Sequence, residues 1–220
     1  KNIPDLTRFD DFLHLVAGRG GQVVNLSSSA DDVGITHNTA KSWLSILQTS
    51  HIVENLRPYR RNFNKQIIKS PKLYFTDTGL LCYLLGIETD EMVRRHPLVG
   101  GIFENFVVSE IAKSYRNRGM QPRTFFWRDK RGHEVDILLD DGVGRTAVEI
   151  KAGRTINSTI SKGLSITAVL TPRVRRNVVS SSTAASAPKN GRRLLCWGGG
   201  PWRRRSGWAG LPGANGRPNQ

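Results

Sequence analysis

Two neighbouring runs decide the fold: Glu134-Val-Asp-Ile-Leu-Leu139 and Thr146-Ala-Val-Glu-Ile-Lys151, joined by the polar turn Asp140-Asp-Gly-Val-Gly144. Each run alternates apolar and polar side chains, as half-buried β-strands do. The connection between them has the length of a hairpin loop. The sequence therefore predicts an antiparallel β-hairpin over residues 134–151.

The hairpin predicts where the charged side chains lie. Successive side chains of a strand point to opposite faces, so Glu149 and Lys151 share one face and Val148 and Ile150 share the other. The partner strand brings Asp136 alongside the acidic face. Two carboxylates and one ammonium group are thus expected to converge at one end of a small sheet.

This set of side chains suits metal-dependent phosphate chemistry. A Mg²⁺ ion is usually bound through one or two carboxylates and keeps several waters, and Asp136 and Glu149 are the candidate ligands. A lysine beside the ion, here Lys151, orients a water or stabilises charge that develops on phosphate. An acid-x-Lys pair alone is also typical of a solvated strand face, so the function depends on the whole set.

The ordered set resembles the PD-(D/E)XK nuclease superfamily, whose core is a helix carrying a glutamate, three strands, a second helix and a fourth strand. By position, Asp136 matches the first acid of the motif, Glu149 its second acid and Lys151 its lysine. Residues 100–111 match the leading helix, and Glu104 matches its glutamate. The resemblance implies a catalytic set of Asp136, Glu149, Lys151 and Glu104, with Mg²⁺ held by the three acids. The alternative for Glu104 is a carboxylate favoured by the helix dipole.

The composition limits the classes of protein. The chain has 220 residues and a formal net charge of +15, with no acidic residue after Glu149. Cys82 and Cys196 are far apart, which indicates neither a zinc site nor a disulfide framework and favours a reducing compartment. No apolar run reaches membrane-spanning length and no signal peptide is evident, so we expect a cytoplasmic protein without a membrane partner. No motif indicates a small-molecule substrate.

Residues 165–220 have a different composition from the rest. Arginines interleaved with tryptophans are typical of a nucleic-acid-binding arm, and the same composition is typical of a disordered tail. A third interpretation is that a GC-rich gene is translated out of frame from about residues 163–166. Such a frameshift would give a sequence without acidic residues. We therefore expect an irregular, basic, low-complexity tail and an incomplete nuclease-like domain over residues 91–164.

Residues 1–90 predict a winged helix-turn-helix. An apolar stripe over residues 5–17 and a short segment over residues 27–33 indicate two helices, and Thr36 is a suitable N-cap for a third that carries Trp43 and Leu47 into a core. Strands are expected at residues 52–56 and 65–69 around a basic loop. This order of elements is the helix-turn-helix pattern followed by a wing.

The winged helix predicts DNA contacts. In DNA-binding proteins of this kind the recognition helix reads base edges and the wing contacts phosphates. Asn38 and Lys41 are the candidates on the helix. The candidates on the wing are Arg57, Arg60, Arg61 and Lys65. The alternative is a protein–protein adaptor whose basic wing is only solvated.

The order of motifs over residues 5–164 is similar to the C-terminal region of a large family of bacterial and archaeal AAA-type ATP-binding proteins, where it is a domain of unknown function. The motifs are Lys72-Leu-Tyr-Phe75, Asp77-Thr-Gly-Leu80, the 100–111 helix and the 134–151 hairpin. The resemblance implies an ATPase module before a winged-helix linker and a nuclease-like domain. The chain lacks Gly-x-x-x-x-Gly-Lys-Ser/Thr, so we expect it to begin after the ATPase module and to leave the family pattern after Gly163.

The predicted fold class is therefore mixed α+β or α/β, with a winged helix followed by a nuclease-like α-β-β-β core. Two functions follow. One is a Mg²⁺-dependent nuclease that hydrolyses phosphodiester bonds. The other is a catalytically silent module that binds DNA or a protein partner and regulates the ATPase.

Overall fold

The computed structural model describes residues 3, 5–59, 70–129, 132–142 and 144–152, together with the backbone of residues 174–180 and 193–196. It is a mixed α+β structure. The helices in this part of the chain are α1 (Leu6–Gly18), α2 (Leu26–Val33), α3 (His37–Thr49), α4 (Thr78–Leu84), α5 (Asp90–Arg95) and α6 (Val99–Arg116). None of these helices is both long and apolar enough to cross a bilayer.

The strands form one mixed sheet. They are β1 (Val53–Pro58), β2 (Lys72–Phe75), β3 (Thr124–Arg128), β4 (Glu134–Asp140), β5 (Arg145–Lys151), β6 (Val174–Ser180) and β7 (Arg193–Cys196), in the spatial order β2-β1-β3-β4-β5-β6-β7. Pairing is antiparallel for β1 with β2, β3 with β4 and β4 with β5. Pairing is parallel for β1 with β3, β5 with β6 and β6 with β7.

The first three helices begin where the sequence predicts. Their N-cap side chains accept hydrogen bonds from backbone N–H groups that would otherwise lack partners: Asp5 from Arg8, Asn25 from Ser28 and Thr36 from Thr39, at 3.0–3.2 Å. Gly34 ends α2 at φ 70°, a left-handed conformation that favours glycine. The predictions of these helices and of the Thr36 cap are confirmed.

The N-terminal core forms around Trp43, which is 3% exposed. The rings of Phe9 and Phe12 meet it edge-on at centroid distances of 5.4 and 5.8 Å. Leu44 and Leu47 are buried in the same cluster, as the sequence predicts. The opposite side of α3 carries the exposed residues Asn38, Lys41 and Ser45.

Strand β1 pairs with β2 in register from Val53 with Phe75 to Leu56 with Lys72. The sequence predicts β2 as a strand, but it places the return of the wing at residues 65–69. Those residues and the rest of the loop over 60–69 lie outside the described part of the chain.

Helix α6 packs on the sheet and is bound to β2 by Asn105, which is fully buried. The Asn105 side chain accepts from Phe75 N at 2.7 Å and donates to Phe75 O at 3.0 Å and to Thr78 Oγ1 at 3.3 Å. A buried backbone N–H and C=O that have no ladder partner at this point are therefore satisfied by one side chain.

The 134–151 hairpin is confirmed by β4 and β5, with Ile137 opposite Val148. Val148 and Ile150 pack in a core shared with α6, as the alternation predicts. The expectation of a half-buried strand is wrong for β5, since residues 146–150 are all buried. The reason is that Ala147 lies in a second apolar cluster with Trp127 and Leu138, so both faces of the sheet are covered here.

The expected irregular tail is corrected at β6 and β7, which lie within residues 165–220. Strand β6 runs parallel to β5, from Arg145 with Val174 to Lys151 with Ser180. Its sequence Val-Arg-Arg-Asn-Val-Val-Ser contains three β-branched valines, which suit a strand beside a buried neighbour. The remaining residues of the predicted tail are outside the described part of the chain.

Candidate functional site

The four predicted catalytic residues come from three elements. Glu104 lies on α6, Asp136 on β4, and Glu149 and Lys151 on β5. Asp136 immediately precedes Ile137, the first residue of β4 that pairs with β5, and its Oδ2 accepts a hydrogen bond from Ile150 N at 2.7 Å. The charges of Glu104 and Glu149 both act on Asp136. The structure thus brings the three predicted acids together.

Asp136 has an altered acidity. Burial is the largest cause, and the negative charges of Glu104 and Glu149 add to it, so the pKa of Asp136 rises from 3.8 to about 7. The Ile150 N–H and the Lys72 ammonium oppose this rise. Asp136 therefore holds its proton over most of the acidic range, which relieves repulsion within the cluster.

Glu149 and Lys151 form an ion pair at 3.0 Å. Burial raises the pKa of Glu149 despite Lys151, and Glu149 is only 8% exposed. For Lys151, burial lowers the pKa, but the attraction of Glu149 outweighs it and the net shift is upward. Glu149 Oε2 is buried and accepts no hydrogen bond from the described residues.

Lys72 is the residue that the sequence analysis missed. Its side chain is 6% exposed, and its Nζ lies 2.8 Å from Glu104 Oε1 and 2.5 Å from Glu134 Oε1. The same ammonium lies 5.7 Å from the centre of the Phe126 ring. Burial lowers the pKa of Lys72, but the two carboxylates outweigh burial and raise it overall, so Lys72 carries a charge.

Tyr74 completes the contacts of Glu104. Its hydroxyl donates to Glu104 Oε1 at 2.5 Å, and burial together with the Glu104 charge raises the pKa of Tyr74 well above its usual value. Gly21 has φ 77°, and a Cβ there would lie 3.9 Å from the Glu104 carboxyl carbon. The backbone at Gly21 therefore covers Glu104 on a side where a larger residue would be strained.

The alternation of Lys72-Leu-Tyr-Phe75 is the sequence pattern from which the positions of Lys72 and Tyr74 could have been predicted. It places Lys72 and Tyr74 on one face of β2. Nothing local indicates that this face meets α6, because Glu104 is separated from Lys72 by 32 residues. Glu134 was visible as an acid two residues before Asp136, and it pairs with Lys72 and, at 3.6 Å, with Arg128.

The arrangement does not fit the expected Mg²⁺ ion. Among the described residues, no three His, Cys, Asp or Glu side chains form a group that could hold a metal ion. Glu104 accepts hydrogen bonds from Lys72 and Tyr74. Asp136 accepts one from the Ile150 N–H, and Glu149 forms an ion pair with Lys151. The positive charge that a metal would supply comes here from lysine.

The predicted nucleic-acid residues are only partly within the described chain. Asn38 and Lys41 are exposed on α3, and Arg57 is exposed near the end of β1. Arg60, Arg61 and Lys65 lie outside the described residues. His133, beside the predicted site, is engaged with Asp129 at 2.9 Å.

Comparison with known families divides the chain at about the start of α6. Residues 99–197 match DUF4143, a domain of unknown function. Residues 1–91 match DUF8612, also a domain of unknown function. The DUF4143 match contains Glu104, Asp136, Glu149 and Lys151, whereas Lys72 comes from the DUF8612 match. The DUF4143 match continues past Gly163, where the sequence predicts a departure from the family pattern.

Two similar proteins are uncharacterized proteins of Mycobacterium bovis and Mycobacterium tuberculosis. Each is 29% identical to this chain over 150 residues, which are 68% of this chain and 33% of the relative. The chain thus spans about a third of the length of the curated relatives it matches. No solved structure matches the chain significantly.

Proposed function

We propose that this chain is the C-terminal portion of an AAA-type ATP-binding protein, and that it binds DNA through a winged helix while its nuclease-like domain is catalytically silent. The observation that carries the proposal is the ammonium of Lys72, which is bound between Glu104 and Glu134 in the carboxylate cluster.

The link to an ATPase is supported by the comparisons. DUF4143 is a domain often found with AAA ATPases. The mycobacterial relatives are about three times as long as the matched segment. That length leaves room for an ATPase module in a protein of this kind.

The nuclease-like fold is supported by the order of elements. Helix α6 precedes the antiparallel strands β3, β4 and β5, and β6 then pairs parallel to β5. A parallel pair needs a crossover connection, for which residues 152–173 provide enough chain. Glu104 lies on the helix, Asp136 on β4 and the Glu149–Lys151 pair on β5, and this order along the chain supports the proposal.

Silence is supported by the contacts of each acid. A metal ion needs carboxylate oxygens as ligands, and here one oxygen of each of the three acids is already bonded to lysine, tyrosine or a backbone donor. Lys151 is held by Glu149, which limits its freedom to orient a water.

DNA binding is supported by helix α3. One face of this helix is exposed and carries Asn38 and Lys41. Its opposite face packs against Phe9 and Phe12 through Trp43. Asparagine is suited to adenine edges and lysine to guanine edges or phosphates. Lys41 therefore offers a direct test of this surface.

The test measures cutting and binding on the same protein. Plasmid and single-stranded DNA are incubated with the chain and with Asp136→Ala, with Mg²⁺ or Mn²⁺. We expect no metal-dependent cleavage by the folded protein. We also expect duplex binding that weakens as salt increases, and for Lys41→Ala a salt slope smaller by about one. Lys113→Ala, which removes a lysine paired to Glu110, is the matched control.

Cleavage that requires metal and disappears in Asp136→Ala would overturn the silent module. Binding that is unaffected by Lys41→Ala would remove α3 from the DNA surface and leave the protein-adaptor function.

A Mg²⁺-dependent nuclease is the second candidate. It is favoured by the mutual repulsion of Asp136, Glu104 and Glu149 and by Glu149 Oε2, which has no hydrogen-bond donor in the described part of the chain. Both features favour an added positive charge. In that case Asp136, Glu149 and Glu104 would bind the ion and Lys151 would stand beside the attacking water. Lys72 would first have to leave Glu104.

A further inference from the structure

We propose that Lys72 is the built-in cation of this carboxylate cluster, and that removal of its ammonium group turns the cluster into a divalent-cation site with Glu104 and Glu134 as ligands. The inference rests on the proposed function, because it names the group that keeps the nuclease-like site silent.

The position of the Lys72 Nζ is that of a bound cation. It lies within 2.8 Å of one carboxylate oxygen and 2.5 Å of another, in a place that is almost closed to solvent. Mg²⁺ and similar ions bind carboxylate oxygens at about 2.1 Å. Movements of less than about 1 Å by Glu104 and Glu134 would therefore convert an ammonium site into a metal site.

The balance of charge points the same way. Lys72 faces Glu104 and Glu134 directly, and Asp136 also acts on it, since Lys72 opposes the rise in the Asp136 pKa. Glu149 is matched by Lys151 through one oxygen, and its other oxygen is buried without a hydrogen-bond donor among the described residues. Arg128 also lies 3.6 Å from Glu134, so four carboxylates face three cations with Lys72 present and only two without it.

The carboxylates and the lysine belong to different parts of the chain. Glu104 and Glu134 lie in the DUF4143 match, and Lys72 lies on β2 in the DUF8612 match. The charge of the cluster thus depends on the position of β2. Asn105 holds β2 in place through both backbone groups of Phe75.

The test uses Lys72→Met in the full chain. Methionine keeps much of the length of the side chain next to Phe126 and removes only the charge and the donors. Thermal unfolding is followed with and without Mn²⁺ for this variant, for the wild type and for the matched control Lys113→Met. We expect Mn²⁺ at a hundredfold excess over its Kd to raise the Tm of Lys72→Met by about 5 °C or more. The wild type and the control should respond weakly, and Lys72→Met/Glu104→Gln should lose the response.

A folded Lys72→Met variant that responds to Mn²⁺ no more than the wild type would overturn the inference. If the variant does not fold, Lys72→Leu, which also fills the space beside Phe126 without a charge, replaces it in the same Mn²⁺ titration. A folded Lys72→Leu variant whose Tm Mn²⁺ raises no more than that of the wild type would also overturn the inference.

The two proposals can fail separately. Metal-dependent DNA cutting by the wild type would end the silent-module proposal. A larger rise in Tm with Mn²⁺ for Lys72→Met than for the wild type would still establish Lys72 as the competing cation, because the measurement of Tm requires no cleavage.

Discussion

Lys72 Nζ and Glu104 Oε1 lie 2.8 Å apart, and this buried ion pair joins strand β2 of the DUF8612 match to helix α6 of the DUF4143 match. Removing two charges from water is costly, so such a pair persists where hydrogen bonds satisfy both partners. Tyr74 donates to the same oxygen of Glu104, and Lys72 forms a second ion pair with Glu134. The pair is therefore one link in a small network, and breaking it has consequences for stability that can be measured.

Glu104→Gln should destabilise the fold by about 3 kcal/mol, because it leaves the buried Lys72 ammonium with one fewer negative partner. Urea unfolding followed by circular dichroism gives the free energy of unfolding. Glu110→Gln is the control on the same helix. Its pair with Lys113 involves side chains that are 33% and 43% exposed, and it should cost less than about 0.5 kcal/mol. Equal losses in the two variants would contradict a special role of the network.

Tyr74→Phe should cost about 2 kcal/mol, because the hydroxyl bonded to the charged Glu104 carboxylate is lost while the ring stays packed. The same urea experiment measures this loss. Tyr83→Phe serves as the control because Tyr83 is 76% exposed, and its stability should change by less than about 0.5 kcal/mol. A Tyr74→Phe protein as stable as the wild type would show that Glu104 does not need this donor.

Asp136 should make the stability depend on pH. Its pKa is raised from 3.8 to about 7, so folding takes up a proton between those values. The stability that the neutral form contributes is full below about pH 4 and is lost as the pH rises through 7. Allowing for partial exposure of Asp136, the loss is on the order of 2 kcal/mol.

Asp136→Asn should remove most of this loss, because the amide cannot ionise. Unfolding at pH 5 and pH 8 measures the difference, and the Asn variant should fall less than the wild type over that interval. Asp31→Asn, at an exposed position of α2, should follow the wild-type profile. Parallel profiles for Asp136→Asn and the wild type would mean that Asp136 is ionised throughout.

Asn105→Ala should destabilise the fold by about 3 kcal/mol, because it leaves the buried N–H and C=O of Phe75 without partners. Thermal and urea unfolding both report the loss. Asn55→Ala, at an exposed position of β1, should change stability by less than about 0.5 kcal/mol. A small effect at Asn105 would show that water replaces the side chain at Phe75.

The local features of the fold were predictable because they depend on nearby residues. Thr36 caps the helix that follows it, and the alternation of Val148 and Ile150 reports which face of β5 meets a core. The convergence of Asp136 with Glu149 was predictable from the hairpin, whereas that of Glu104 with them was predictable only through the resemblance to a known motif. These predictions use periods of two and 3.6 residues, which the printed sequence contains directly.

The part that could not be predicted depends on contacts between distant elements. The alternation of β2 shows that Lys72 and Tyr74 share a face, but not that this face meets Glu104. Strand β6 was missed because its parallel partner β5 is more than 20 residues away and its composition is that of a basic tail. Long-range pairing is fixed by the topology of the whole sheet, which no short window of sequence contains.

The parallel pairing of β1 with β3 joins the two matched regions in one sheet. Arg57 and Pro58 pair with Phe125 and Phe126, and Tyr59 N donates to Phe126 O at 2.6 Å. A protease cut between residues 91 and 99 would therefore nick the chain without releasing either piece. Expressed alone, each piece would present an uncovered strand edge that invites aggregation. If either region were combined with a different partner region, β1 and β3 would still have to pair with each other. The two regions are therefore expected to occur together in one chain.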